Sequence, residues 1–153
     1  MKVKIKKTNP NAVVPFKTYD RDFCYDCVAT SCEEVAPNVY KYGIGLAFEM
    51  TPSEHEKGWE WREESRFALD FRPRSSVWKT GMILSNCVGT VDELFRGEVS
   101  AVFYHVMPNM PKYEIGDKII QCMFAMNETI EFEVVDELSQ TERGNGSYGS
   151  TGK

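Results

Sequence analysis

The residues whose types and spacing best suit chemistry are Asp92 and Phe95, which lie in the run of residues 88–99. This run begins and ends in strand-like sequence and turns between Gly89 and Gly97, a pattern that predicts a tight β-hairpin. A carboxylate and an aromatic ring held on a rigid hairpin would form one wall of a small-molecule site. The same pattern is typical of an ordinary polar hairpin with one buried ring, because carboxylates are common in turns.

A second candidate is the group of polar side chains at Arg74, Ser75 and Ser76. They open the one segment, residues 73–79, that predicts a helix, with Ser75 as its N-cap and Gly81 as its end. Backbone N–H groups at a helix start, a hydroxyl and a guanidinium together suit a phosphate group. A plain helix cap with an exposed arginine is the alternative.

The composition changes at Thr141, after which glycine, serine and threonine dominate. Such a segment cannot bury a core, so we expect residues 141–153 to form a flexible arm. Its glycines let backbone N–H groups approach phosphate oxygens, Arg143 adds charge, and Tyr148 can stack on a base. A disordered terminus or a remnant of expression is the alternative.

Asp117 and Gln121 are the polar residues of a third segment. Asp117 follows Gly116 and is most simply a turn residue. Gln121 interrupts an apolar run, so its amide needs a partner if it is buried, from the protein or from a ligand. His55 and His105 have no partner at a spacing typical of catalysis, so we do not expect nucleophilic catalysis by the protein.

The five cysteines are an odd number, and no apolar signal segment follows the basic start of the chain. We therefore expect free thiols in a reducing compartment, the cytoplasm, rather than a disulfide framework. Cys24 and Cys27 have the C-x-x-C spacing of zinc and redox sites, but the sequence has no second such pair and no histidine nearby. They are interpreted as strand cysteines.

The length of 153 residues fits one domain, and the 42% hydrophobic and 27% charged content is that of a globular protein. The net charge of −5 repels nucleic acid and anionic membranes, so we expect neither as a partner. No apolar run approaches the ~20 residues that a membrane span needs. An anionic ligand must therefore be met by locally placed arginines or backbone N–H groups.

The elements that position these side chains are predicted to be almost entirely strands. Alternating apolar residues and turn signals indicate about nine or ten short strands, one helical turn and no βαβ pattern. This combination predicts an all-β barrel or sandwich for residues 1–140. Residues 51–66 predict an extended surface hairpin, either a decorated loop or a partner-binding element. The predicted strands include residues 3–5, 23–29, 39–50, 67–71, 82–91, 99–107, 115–126 and 130–134.

Taken in chain order, these segments resemble the motifs of the trimeric dUTPase family over nearly the whole chain. The matching segments are Tyr25-Asp26, Pro73 to Ser76, Asn86 to Gly97, Gly116 to Gln121 and Val135 to Gly152. The chain departs from the family pattern at Phe23-Cys24, Ser76, Leu94, Phe95 and Ser147.

This resemblance implies a jelly-roll-like β-barrel that assembles as a homotrimer, with three sites shared between subunits. It implies hydrolysis of dUTP to dUMP and pyrophosphate by attack of water at the α-phosphorus. That reaction limits uracil incorporation into DNA and supplies dUMP for thymidylate synthesis. The resemblance also implies Mg²⁺ as cofactor, held by the triphosphate and waters without a direct protein ligand. Residues 141–153 would be the arm that closes over the site.

Roles for individual residues follow from the same resemblance. Asp92 is the carboxylate that orients and activates the attacking water, while Asp26 and Asp117 support the site. The residues implied to bind the phosphates are Arg74, Ser75, Ser76, Gln121, Arg143, Gly144, Ser150 and Thr151. Those implied to bind uracil and deoxyribose are Asn86, Gly89, Val91, Phe95 and Tyr148.

Two other functions remain open on the sequence. A dCTP deaminase-like relative would share the barrel, although Asp92 and the glycine-rich arm favour the hydrolase. A dUTP-binding regulatory trimer would contact a partner protein, for example through residues 51–66, and this role is compatible with hydrolysis.

Overall fold

The computed structural model describes residues 2–51, 66–127 and 130–146. Within these ranges the chain forms ten strands and one short 3₁₀ helix, Ser75–Lys79, which confirms the predicted all-β class. The strands are β1 (Lys2–Lys7), β2 (Tyr25–Val28), β3 (Ser31–Ala36), β4 (Val39–Gly43), β5 (Leu46–Thr51), β6 (Arg66–Pro73), β7 (Met82–Leu84), β8 (Gly89–Asp92), β9 (Ser100–His105) and β10 (Lys118–Asn127).

These strands form three antiparallel sheets. Their orders are β1-β5, β2-β10-β6-β8 and β3-β4-β9-β7. In the part of the chain that the structure describes, the sheets do not close into a continuous barrel. Instead, buried side chains from all three sheets meet in one hydrophobic core.

Both four-stranded sheets contribute fully buried side chains to this core. Tyr42 and Phe103 are fully buried on one sheet, and Ile119 and Ile120 are fully buried on the other. The rings of Tyr42 and Phe103 meet edge to face with their centroids 5.9 Å apart. Burial of each large apolar side chain contributes about 1.5–3 kcal/mol, so side chains of both sheets stabilise the shared core.

β10 organises the candidate site because it has hydrogen-bonded neighbours on both sides. On one side, β2 places Asp26 opposite Gln121. On the other side, β6 places Pro73 opposite Ile120. The end of β6, from which the 3₁₀ helix starts, is thereby brought next to Asp26.

The hairpin predicted for residues 88–99 is wrong. β8 pairs with β6, whereas β9 pairs with β4 and β7 in the other four-stranded sheet. A turn in which the N–H of Phe95 donates to the carbonyl of Asp92 ends β8. The chain then crosses between sheets, because Val99 and Ala101 bury their side chains in the core from the second sheet.

Other strand predictions differ from the structure at their boundaries. The strand predicted for residues 82–91 divides into β7 and β8, because Cys87 adopts a left-handed φ of 57° between them. The strand predicted for residues 39–50 divides at Gly45, whose φ of 68° makes the bend that its glycine suggested. β3 was not predicted, since all its residues are exposed and it has no apolar alternation.

Residues 130–134 form no strand in the described structure, contrary to their alternating pattern. Phe132 is 87% exposed and Val134 is 99% exposed, so the apolar side of this pattern has no cover within the described chain. The surface hairpin predicted for residues 51–66 lies, from residue 52 to residue 65, outside the described residues.

The predicted helix is a single 3₁₀ turn, and Arg74 rather than Ser75 occupies its N-cap position. No side chain forms a capping hydrogen bond there. At the other end, the hydroxyl of Thr80 donates to the carbonyl of Val77 at 2.7 Å, immediately before Gly81. Among the described residues, no helix has the length and apolar character needed to cross a membrane.

All five cysteines are free thiols in the structure. Cys27 lies in β2 as predicted, whereas Cys24 lies in the bend that precedes it. A hydrogen bond with Cys122 and burial both raise the pKa of the Cys27 thiol above its ordinary value. A buried thiol held in its neutral form is a poor metal ligand and a poor nucleophile.

Candidate active site

Asp26 lies at the centre of the first group of site residues, where it is shared by two cations. It is only 9% exposed. The Nε of Arg74 donates to its Oδ1 at 2.8 Å, and the Nζ of Lys118 lies 3.0 Å from its Oδ2. A carboxylate with this little solvent needs such partners, so Asp26 fixes the direction in which the Arg74 side chain leaves the 3₁₀ helix.

Gln121 joins this group through the backbone of the neighbouring strand. Its Nε2 donates to the carbonyl of Pro73 at 3.1 Å, so the partner that its burial demands is the protein itself. An Nη1 of Arg74 reaches the hydroxyl of Ser76 at 3.4 Å, while Ser75 is exposed. The structure therefore brings the second and fourth predicted segments together on one edge.

Asp117 has the turn role that its sequence context predicts. Its carboxylate accepts a hydrogen bond from the N–H of Glu114 at 2.8 Å, and its carbonyl accepts one from Ala29 at 2.9 Å. Gly116 precedes it with a φ of +96°, which side chains rarely adopt. This turn sets the start of β10 and hence the positions of Lys118 and Gln121.

The residues predicted to bind the base surround a separate small cavity of about 90 Å³. Asn86, Gly89 and Val91 line it, together with apolar side chains from both large sheets. A Cβ on Gly89 would lie 3.1 Å from the Asn86 amide nitrogen, so the missing side chain leaves room for that amide beside the backbone. The other lining residues are Phe71, Leu84, Ser85, Val99, Ser100, Ala101, Val102 and Ile120.

Asp92 and Phe95 lie just beyond this cavity, at the end of β8. Asp92 is exposed, with its carboxylate on the surface. Phe95 is 45% exposed, and its ring lies against the backbone of Gly97. Asn86, Gly89 and Val91, which are predicted to bind the base, lie on the same segment as the carboxylate and the ring.

Within one chain, Asp92 is remote from the phosphate-binding group. Asp92 pairs with Ala68 near the start of β6, whereas Arg74 follows the end of β6. Six strand residues at about 3.3 Å each separate the position opposite Asp92 from Arg74 by roughly 20 Å along β6. A single chain therefore presents two half-sites at opposite ends of one strand.

The glycine-rich arm is described as far as residue 146. The Nε of Arg143 donates to the carbonyl of Gly146 at 3.0 Å, and Gly144 has a left-handed φ of 48°. In the described part of the arm, Arg143 bonds locally and does not reach either half-site. Tyr148, Ser150 and Thr151 lie outside the described residues.

Two residues at the site were not found from the sequence. Lys118 was passed over because it stands inside a strand pattern, yet it pairs with Asp26. Tyr113 lies between two predicted strands, where no pattern marks it, yet it lines the same pocket as Thr80 and Arg74. The sequence signal available for Lys118 was its position directly after the turn aspartate Asp117.

The described residues contain no group of three or more His, Cys, Asp or Glu side chains placed to hold a metal ion. The edge that carries Arg74 and Lys118 is cationic, which suits an anionic ligand better than a bare cation. A divalent metal at this edge would need oxygen ligands from the ligand itself, as Mg²⁺ commonly takes from phosphates.

Comparisons with known proteins point to one family. A family model described as dUTPase matches residues 70–152. A deoxyuridine 5′-triphosphate nucleotidohydrolase of Nautilia profundicola is 34% identical over 155 residues, which cover 100% of both chains. That of Clostridium novyi is 30% identical, covering 99% of each.

Solved structures give the fold. A dUTPase of Staphylococcus bacteriophage 80alpha, solved with dUpNHpp, has a TM-score of 0.70 at 20% identity and covers 99% of each chain. A dUTPase from phage phi11 of S. aureus, described with a structural Mg(II) ion, has a TM-score of 0.63 at 16% identity. It covers 92% of this chain and 100% of that one.

These structural likenesses confirm the predicted jelly-roll-like β fold. The family model spans more than half of the chain, and the relatives match along its whole length. The chain therefore belongs to the dUTPase family, the deoxyuridine 5′-triphosphate nucleotidohydrolases.

Proposed function

We propose that the chain hydrolyses dUTP to dUMP and pyrophosphate in an active site assembled from several copies, with Asp92 as the base. Membership of the dUTPase family supports hydrolysis of dUTP to dUMP. The observation that carries the shared site is the separation of the Asp92 half-site from the Arg74 half-site, at opposite ends of β6. A nucleotide whose α-phosphorus lies over Asp92 of one chain would then meet Arg74 of another copy.

In this proposal the Asp92 carboxylate accepts a proton from water as the water attacks the α-phosphorus. The exposed position of Asp92 at the end of β8 leaves it free to hold that water. General-base catalysis of this kind contributes about 10²- to 10⁴-fold to a rate. Pyrophosphate leaves on the opposite side, where positive charge must meet it.

Arg74, Ser75, Ser76 and Gln121 of a second copy supply phosphate contacts. Their arrangement supports this role because Asp26 holds the Arg74 side chain in place. A guanidinium group that is already held in position loses little conformational entropy when it binds a phosphate. Arg143, Gly144, Ser150 and Thr151 of the arm complete the phosphate contacts, and Tyr148 covers the base.

Mg²⁺ fits this arrangement as a cofactor brought by the nucleotide. The cationic edge around Arg74 and Lys118 lacks a carboxylate cluster among the described residues, so triphosphate oxygens and waters would be its ligands. When bound, the ion neutralises phosphate charge and orients the chain of phosphates.

Selection of uracil rests on the small cavity of about 90 Å³ beneath β8. The Asn86 amide and the backbone around Gly89 would read the edge of the base. Cytosine presents reversed donors and acceptors there and would leave buried groups unpaired, which is strongly disfavoured. Phe95 packs under the deoxyribose and leaves no room for a 2′-hydroxyl.

Mixing of two inactive variants tests both parts of the proposal. Asp92→Asn should retain dUTP binding and lose roughly 10²- to 10⁴-fold in kcat, while Arg74→Ala should weaken dUTP binding. Co-refolding the two chains in equal amounts should restore up to about one quarter of wild-type activity, as random assortment in a closed ring predicts. Release of dUMP and pyrophosphate is followed by ³¹P NMR, with dCTP, TTP and UTP as parallel substrates.

Each variant refolded alone is the control and should keep only its own reduced activity. If the activity of the co-refolded mixture never exceeds the summed activities of the two separate variants, a site shared between copies would be excluded. An unchanged rate for Asp92→Asn would remove Asp92 from the base role, and ammonia release from dCTP would favour a deaminase.

A further inference from the structure

The turn that follows β8 carries both Asp92 and Phe95, on which the proposed chemistry and the selection of the sugar depend. Residues 94–98 of this turn are exposed. Its backbone is closed by the hydrogen bond that the N–H of Phe95 donates to the carbonyl of Asp92 at 3.0 Å. One exposed hydrogen bond stabilises a turn only slightly, so the position of the Asp92 carboxylate depends on what else holds this backbone.

Arg96 folds its side chain back onto this turn. Its Nη1 donates to the carbonyl of Glu93 and, at 3.0 Å, to the carbonyl of Phe95. These two carbonyls lie on either side of Leu94, so one guanidinium group joins the two halves of the turn. Hydrogen bonds from a charged donor are stronger than neutral ones, and the planar guanidinium holds its acceptors in a defined geometry.

Glu93 attaches the same turn to the body of the fold. Its side chain is half-buried, and its carboxylate accepts a hydrogen bond from the N–H of Phe67 at 3.4 Å. Phe67 directly precedes Ala68, the residue that pairs with Asp92 in the sheet. The Phe67 ring is buried and stacks on that of Phe124 with centroids 5.7 Å apart. The start of the turn is therefore attached to a strand that is itself held in the core.

Both contacts are made with backbone groups and not with the reacting carboxylate. Arg96 binds carbonyls within the turn, and Glu93 binds an N–H of the neighbouring strand. A displacement of about 1 Å in a catalytic group can cost about 10²-fold in rate. A turn closed by its own hydrogen bond alone would not hold the Asp92 carboxylate to that precision.

We propose that Arg96 is a positioning residue: together with Glu93 it fixes the turn, so that the Asp92 carboxylate and the Phe95 ring keep constant positions relative to each other. This inference rests on the proposed function, in which Asp92 is the base. It deepens that function by assigning the side chains that hold the base in place.

Steady-state hydrolysis of dUTP by Arg96→Ala and Arg96→Lys tests the inference. Arg96→Ala is expected to lower kcat by about ten- to hundredfold, with a much smaller change in KM, because other residues make the phosphate contacts. Arg96→Lys keeps the charge but not the planar fork, so it should recover only part of the loss. Arg21→Ala, in the exposed loop before β2, is the matched control for loss of one arginine and should match the wild type.

Glu93 is tested by a pair of variants. Glu93→Gln keeps an oxygen that can accept from the N–H of Phe67, whereas Glu93→Ala removes it. We therefore expect Glu93→Gln to lose less kcat than Glu93→Ala. The opposite order would show that the contact with Phe67 does not hold the turn.

The same Arg96→Ala change in an Asp92→Asn background shows how Arg96 acts. If Arg96 acts through the Asp92 carboxylate, its removal should lower kcat little further once that carboxylate is gone. A ten- to hundredfold loss in both backgrounds would overturn the inference, since Arg96 would then act on the reaction independently of Asp92.

Binding of dUMP and of UMP, measured by calorimetry, tests the turn without turnover. The wild type should prefer dUMP because the Phe95 ring excludes a 2′-hydroxyl, and Arg96→Ala should lower that preference by about three- to tenfold. An unchanged preference or an unchanged kcat in Arg96→Ala would overturn the inference. A wild type that fails to hydrolyse dUTP, or a fully active Asp92→Asn, would count against the proposed function, while the dUMP and UMP affinities would still decide the role of Arg96.

Discussion

Gly97 is a glycine because of a neighbouring side chain and not because of its backbone. A Cβ at this position would lie 2.6 Å from Cζ of Phe95, closer than any real contact allows. Its φ is not among the left-handed values of the chain, so its backbone would accept a side chain. The sequence predicted a turn glycine here, but only the structure shows that its function is to seat the Phe95 ring.

We expect Gly97→Ala to displace the Phe95 ring and to lower the preference for dUTP over UTP by about tenfold, the effect of one methyl group in a pocket. Because Phe95 is half exposed, the ring can swing aside, and stability should change by less than about 1 kcal/mol. The ratio of kcat/KM for the two nucleotides is the measurement.

The same change in a Phe95→Ala background is the control and should have no further effect on the preference, since no ring remains to be displaced. A single variant that retains the full wild-type preference would show that the ring does not depend on Gly97 for its position.

Single residues were predictable where local chemistry decides their role. Asp117 is a turn residue as its position after Gly116 predicts, and the amide of Gln121 has the partner that its apolar surroundings require. The pairing of Lys118 with Asp26 depends on the register of β2 and β10, which no local pattern specifies.

At the scale of elements, Asp26 joins three parts of the fold. It stands on β2, and its two cations come from the N-cap of the 3₁₀ helix and from the first residue of β10. Lys118 also reaches the hydroxyl of Thr18 at 3.2 Å, which ties in the loop before β2. Removal of the charge on Asp26 would leave two cations facing each other with no counterion.

Asp26→Asn should therefore release Arg74 from its fixed direction. We expect KM for dUTP to rise about tenfold with a smaller change in kcat, because binding of the phosphates depends on that direction. Breaking a partly buried ion pair should also lower the free energy of unfolding by about 1–3 kcal/mol. Steady-state kinetics and urea denaturation measure the two effects.

Asp26→Glu separates the effect on KM from the effect on the free energy of unfolding. It keeps the carboxylate charge but places it one methylene group further from the backbone. Asp20→Asn, in the loop before β2, controls for loss of a carboxylate outside the ion pairs. Equal KM values for Asp26→Asn and wild type, with stability lowered as expected, would assign Asp26 a purely structural role.

Most strands were predictable from apolar alternation, but their partners were not. The turn signals after Asp92 correctly mark the end of β8, whereas the turn at residues 85–88 was predicted as strand and Gly89 lies within β8. Such signals do not say whether the next strand stays in the sheet, and here the chain changes sheets between β7 and β8 and again between β8 and β9. That choice is made by the burial of Val99 and Ala101 in the shared core.

At the scale of the whole molecule, residues 130–134 carry an apolar pattern that nothing in the described chain covers. Their alternation predicts a strand with Ile130, Phe132 and Val134 on one face, yet those side chains are exposed. An uncovered apolar strand with free backbone groups is a strong site for pairing with another chain. We therefore expect this segment to pair with another copy of the chain.

We expect the wild type to be a trimer in solution and Phe132→Asp to dissociate it. A charge in place of a large buried ring costs about 3–5 kcal/mol at each contact, and three equivalent contacts share one closed ring. Light scattering coupled to size exclusion gives the mass. Because Asp92 and Arg74 of one chain lie at opposite ends of β6, activity should fall together with assembly.

Glu131→Lys is the matched control, since it changes charge in the same segment on the opposite face of the alternation and should leave the trimer intact. If Phe132→Asp kept the mass and the activity of the wild type, the segment would have no part in assembly. If it lost the trimer but kept full activity, each chain would contain a complete site. The roughly 20 Å between the two half-sites along β6 argues against that second outcome, because one nucleotide would have to span this distance on a single chain.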